Sequence, residues 1–154
     1  MLEALAAAVL LVVLATGFWP AAPGAPTPAQ RWADVASPHI VALARDITDL
    51  QGSLPPPRAA PSAPGPVGSQ LARLRRDLRR AGRVPAPPGA GLQRIWSSAL
   101  GRATDAVDIL AGAGTGASLA PARLATARAD LDAAGQALVA ASATARSPGR
   151  FYPH

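Results

Sequence analysis

Six arginines crowd one short stretch, Arg73, Arg75, Arg76, Arg79, Arg80 and Arg83, with Asp77 as the one acid among them. Guanidinium groups at this density bind phosphate oxygens, whether on anionic lipid headgroups or on a nucleic-acid backbone. Asp77 stands at helical spacing from Arg73 and Arg80, so part of the charge can be neutralised along a solvated helix face. No aromatic residue lies between the arginines to stack on a base, which disfavours single-strand recognition. These six residues are the candidate contact with an anionic surface.

Other chemistry-bearing residues are sparse. There is no Cys and no Lys, and the two histidines are His39 and His154. Thiol chemistry, structural disulfides and lipoprotein acylation are excluded together, and most nucleophile and base arrangements lack their parts. His39 has no second internal His, no Cys and no clustered acid to orient it, so it reads as a partly exposed helical residue. Asp105 and Asp108, three apart on a helix, can approach as neighbours, but two acids without further ligands fall short of a cation site. The glycines of GAGTGAS, Gly112, Gly114 and Gly116, follow no strand and precede no Gly-Lys-Ser/Thr, so they read as a helix connection. No catalytic residue, cofactor site or metal ligand is assigned.

The elements that position the arginines follow from spacing. Thr27, Pro28 and Gln30 make a T-x-x-Q capping box with proline at the first helical position. Beyond it, Trp32, Ala36, Ile40, Leu43, Ile47 and Leu50 form one apolar stripe, and Arg31, Asp34, Arg45, Asp46 and Asp49 read as polar positions mostly off it. Pro38 predicts a kink, or a restart with Ser37 as cap. Ser69 is the expected cap of the arginine helix, whose narrow stripe of Leu71, Leu74, Leu78 and Ala81 ends at Gly82, a suitable C′ residue.

After the VPAPPGAG turn, Leu92 opens a helix with the broad apolar face Leu92, Ile95, Trp96, Ala99, Leu100, Ala103, Val107 and Leu110. Trp96 reads as a core anchor against Leu71 or Leu74. Ser118 can cap a last helix with Pro121 in its first turn. There Ala120, Leu124, Ala127, Leu131, Ala134, Leu138 and Ala141 alternate small and large over about three heptads. The partner of that stripe is either the Trp96 helix or a second copy of the chain.

Ahead of these elements lies ALAAAVLLVVLATGFW, Ala4 to Trp19, an uncharged stretch of roughly 24 Å as a helix at 1.5 Å per residue. Leu2 and Pro20-Ala21-Ala22 extend it toward spanning length, and Phe18 and Trp19 suit an interfacial anchor. It is expected to be a membrane anchor or an export signal. Cleavage after Ala29 is the alternative that would release the domain. The domain is expected outside the membrane, since basic residues beyond about the first 15–20 following a span weigh little on its orientation.

The expected layout is residues 1–20 as signal or anchor, 21–28 as a proline-rich spacer, 29–145 as the helical domain with a proline-rich linker at 51–68, and 146–154 as a disordered tail. The fold class is all-α, a bundle of three or four helices. All fifteen basic residues are arginine, Asn is absent, and about a quarter of the chain is Ala, a bias of high-GC coding. The formal net charge of +6 favours anionic partners without choosing among them.

The frame Leu71-x-x-Leu74-x-x-Asp77-Leu78, the turn at Pro85–Pro88, Trp96-x-x-Ala99-Leu100 and the closing Ala111-Gly112 resembles a group of small uncharacterised exported or membrane-attached helical proteins of high-GC actinobacteria. The likeness spans about a quarter of the chain. Such proteins often carry one Cys in each of two helices; Leu71 and Ile109 stand near those places here. The resemblance implies an envelope location and an α-helical hairpin, and no activity.

Taken together, the residues point to a non-catalytic cell-envelope protein that presents a helical, Arg-rich surface to a protein partner or an anionic envelope component. A cytoplasmic nucleic-acid-binding helical protein is the second reading, and an enzyme with carboxylate-only chemistry the third.

Overall fold

A computed structural model describes residues 25–54, 67–112 and 120–147. Among the described residues there are four helices and no strand: α1 (Pro28–Ser53), α2 (Val67–Ala81), α3 (Ala90–Gly112) and α4 (Pro121–Arg146). Each helix packs against its neighbours in chain order, and α4 closes the ring against α1; the contact between α3 and α4 is the most extensive.

Neighbours run antiparallel, as their cross-links show. Gln70 near the start of α2 donates to Ser53 Oγ at the end of α1, 2.9 Å away, while Trp32 at the start of α1 donates from Nε1 to the carbonyl of Pro85 beyond α2, also 2.9 Å. On the other flank, Arg146 at the end of α4 donates to Ser37 Oγ and Arg128 near its start donates to the Leu54 carbonyl. The result is an up-down-up-down bundle in which sequential neighbours lie side by side.

The apolar stripes fill the centre. Trp32, Ala36, Ile40, Leu43, Ile47 and Leu50 of α1 are all buried, as are Leu124, Ala127, Leu131, Ala134, Leu138 and Ala141 of α4. The buried alanines of α4 are matched by Ala99, Ala103 and Ala106 of α3, and small side chains on both helices let the axes come close while leucines fill the space between. The α4 stripe is therefore covered within the chain, by the Trp96 helix.

Local chemistry sets the helix ends. The Thr27–Gln30 capping box forms with both bonds in place: Thr27 Oγ1 accepts from the Gln30 amide at 3.2 Å, and Gln30 Oε1 accepts from the Thr27 amide at 2.8 Å. The helix then runs through Pro38 without a restart. Pro38 and Asp34 are both exposed, so the helix carbonyl that proline leaves unbonded lies on the solvent side, where water can satisfy it.

Several expected boundaries move. α1 continues past residue 51 to Ser53, because Leu54 extends the apolar stripe and is buried at the C-cap, its amide bonded to the Leu50 carbonyl at 3.1 Å. α2 begins at Val67, so Ser69 lies inside the first turn rather than ahead of it. Gly82 does not adopt the left-handed conformation expected of a C′ glycine; α2 tightens instead through bonds from Arg83 to Arg80 and from Val84 to Ala81. The left-handed residue is Gly89, with φ 83°, which turns the chain into α3. α3 starts at Ala90, two residues before Leu92, and α4 starts directly at Pro121, with Ala120 at the N-cap and no side-chain cap bond.

No helix among the described residues is long and apolar enough to cross a membrane. The Ala4–Trp19 stretch, the first half of the 21–28 spacer, the linker core at 55–66, most of the GAGTGAS connection with Ser118, and the tail from 148 lie outside the described residues.

Candidate functional site

The bundle sorts the six candidate arginines into two kinds. Arg73 reaches across to α1, 3.9 Å from Asp46 Oδ1 and 3.8 Å from Asp49 Oδ2, rather than pairing with Asp77. Arg75 meets Asp108 of α3 at 3.5 Å, and Arg80 meets Asp77 within α2 at 3.3 Å. Arg76, Arg79 and Arg83 are exposed and have no carboxylate partner among the described residues. Their spacing of three and then four keeps these guanidiniums along one side of α2 as it enters the turn. Two of the set thus hold the helix to its neighbours, one is paired within the helix, and three are available to an anionic partner.

The Arg75–Asp108 pair also separates the two acids of α3. Both are exposed, but Asp108 reaches Arg75 of α2, while among the described residues Asp105 has no arginine partner and no three metal-ligating side chains converge. His39 is half-buried on α1.

Trp96 packs edge-to-face on Trp32, with ring centroids 5.4 Å apart and planes at 82°. Both rings are buried, so neither offers a face to a ligand. Trp96 is thus buried in the core, and the ring it meets edge-to-face is that of Trp32 at the start of α1.

One polar residue was misplaced by its chemistry. Asp46, expected off the apolar stripe of α1, is 4% exposed. Its position, three beyond Leu43 and four before Leu50, is the signal that could have placed it on the buried face. Asp46 Oδ2 is buried with no donor directed at it, and the Asp77 carboxyl of α2 lies beside Asp46 on the same groove.

Burial pushes the Asp46 carboxyl up to about 6; the bond to Asp77 and the negative charges of Asp77 and Asp49 act in the same direction, against the pull of Arg73. The pair lines an open groove of about 580 Å³ whose apolar wall is Pro38, Val41 and Ala42 and whose rim carries Arg45 and Arg73. Chemically it is a contact of two acids between two helices, made sensitive to pH below neutrality by the raised Asp46 carboxyl.

No protein-family model, curated protein or solved structure matches the chain.

Proposed function

We propose that this protein is a non-catalytic component of the cell envelope, held at the membrane by the Ala4–Trp19 stretch, whose helical domain presents an arginine surface to an anionic envelope component or an acidic protein partner. The observation that carries this reading is the open row Arg76, Arg79 and Arg83, exposed on a helix whose remaining arginines are engaged with internal acids. Three guanidiniums without carboxylate partners among the described residues, two on α2 and one on the turn that follows it, supply the charge-assisted hydrogen bonds that phosphate or carboxylate groups accept. The actinobacterial resemblance and the apolar leader add support for an envelope setting.

Crosslinking in cells, with recovery through a C-terminal tag, tests the proposal. The full chain should recover a defined protein or anionic glycolipid partner, and reversal of Arg76, Arg79 and Arg83 to Glu should lower recovery at least tenfold. Equal recovery by the wild type and the reversed variant would refute a role for the row, and recovery of nucleic acid in place of envelope material would move the protein to the second reading.

A further inference from the structure

The antiparallel bundle has two unlike ends, and the difference is one of charge. One end is built from the N-terminal halves of α1 and α3, the C-terminal halves of α2 and α4, and the turn at 82–89. It holds eight arginines and two aspartates, a formal charge of +6. The opposite end holds five arginines and six aspartates of the described residues, a charge of −1. Pairing sharpens the contrast. At the basic end Arg31, Arg76, Arg79, Arg83 and Arg94 are exposed without a carboxylate partner among the described residues, whereas at the other end Arg123 is the one such arginine.

The chain enters the described structure at Ala25, at the basic end, directly ahead of α1. Ala25 lies six chain steps beyond Trp19, and a chain spans at most about 3.5 Å per step, so that end lies within about 21 Å of wherever Trp19 is held. The far end is a further ~39 Å away along a helix as long as the 26 residues of α4. Electrostatic attraction to a charged surface decays over about 8 Å at physiological ionic strength. The tether thus keeps the basic end next to the surface that attracts it, while in an upright bundle the far end lies beyond the range of that attraction.

We infer that the basic end of the bundle, carrying Arg31, Arg76, Arg79, Arg83 and Arg94, is a docking surface for an anionic lipid bilayer, so that the domain stands with α1 and α3 pointing away from the membrane. This rests on the anchoring role proposed for Ala4–Trp19, and it goes beyond that reading by naming the ligand and fixing the orientation. The lipid phosphates take the place of the carboxylates these arginines lack. The more nearly neutral end, with its ion pairs between Arg102 and Asp130 and between Arg73 and Asp49, faces outward.

Because the chain has no cysteine, single labels report the orientation cleanly. Full-length protein with Gln93→Cys (basic end) or Ala125→Cys (opposite end) is labelled with a donor dye and reconstituted into vesicles that carry acceptor lipid. The vesicles are either neutral phosphatidylcholine or phosphatidylcholine with phosphatidylglycerol. In anionic vesicles the label at 93 should transfer strongly and the label at 125 weakly. Neutral vesicles or 1 M salt should reduce transfer at 93, and each of Arg79, Arg83 and Arg94 changed to Gln should lower the ratio of docked to undocked protein about fivefold.

Equal transfer at the two positions, or transfer at 93 indifferent to lipid charge and salt, would overturn the docking surface while leaving a vesicle-bound protein and the anchoring reading intact. Failure of the full-length chain to float with either kind of vesicle would overturn both. A salt-sensitive shift of the label at 93 on duplex oligonucleotide, without one on anionic vesicles, would assign the arginines to nucleic acid instead of lipid.

Discussion

Asp46 shows how much a single residue can change the behaviour of a helix contact. Its carboxyl is held near 6 in the folded protein against an ordinary 3.8, so the native state keeps a proton that the unfolded chain has already released. The sign follows directly: the group carries no penalty below about pH 3.8, and stability falls as pH rises from there through about 6. At ~1.4 kcal/mol per pH unit the full penalty is roughly 3 kcal/mol. Asp46→Asn should remove this slope and raise the urea midpoint at pH 7; an unchanged pH profile in the variant would show that the acid pair does not couple to folding. Trp32 is a second sensitive position, since its indole donates to the otherwise unpaired Pro85 carbonyl at 2.9 Å. Trp32→Phe keeps an aromatic partner for Trp96 but orphans that part-buried acceptor, a loss of about 1–3 kcal/mol by chemical denaturation. Asp46 was misread from sequence because charge outweighed position, although its spacing from Leu43 and Leu50 already put it on the packed face.

At the scale of helices, the spacing of apolar residues was a reliable guide to what is buried, and a poor one to where helices stop. The stripes of α1 and α4 are buried almost residue for residue, because period and amphipathic face are the same physical fact. Ends depend on what lies across from them: Leu54 prolongs α1 because the bundle covers it, and Gly82 yields the left-handed turn to Gly89. Pro38 is the clearest case of tertiary packing overriding local preference, since Ala36 and Ile40 on either side of it are buried and hold the helix continuous. Pro38→Ala should therefore restore the missing helix bond and raise stability by about 1–2 kcal/mol, less than the ~3 kcal/mol propensity difference because the unfolded chain also gains freedom. A loss of stability would mean that proline is shaping α1 rather than being tolerated by it. On α4, Leu131→Ala should cost about 2–5 kcal/mol through a cavity, and Ala134→Leu about 1–3 kcal/mol through overpacking against α3. Thermal unfolding of the two variants checks both, and a neutral Ala134→Leu would contradict a close α3–α4 contact.

For the molecule as a whole, the asymmetry of charge could not be read along the chain. Arg31, Arg83 and Arg94 are far apart in sequence and share an end only because neighbouring helices run antiparallel. The arginine cluster of α2 was visible at once, but its division into engaged and open members needed the positions of Asp46, Asp49 and Asp108 on two other helices. The partner of the Ala/Leu stripe was likewise ambiguous until the bundle supplied α3. With a docked basic end and an outward face balanced by ion pairs, raising ionic strength should release the domain from the surface without unfolding it, because exposed ion pairs contribute only about 0–1 kcal/mol each. Circular dichroism at low and high salt should therefore superimpose while vesicle proximity falls.

Localisation bears most directly on the central proposal. Cells of the native host are fractionated, the intact mass of the recovered protein is measured, and a C-terminal tag is probed with external protease. The expected result is a full-length species that stays with the membrane through a high-salt wash and whose tag is cut from outside. A soluble, uncleaved species with a protected tag would contradict membrane anchoring and the basic end as its docking face.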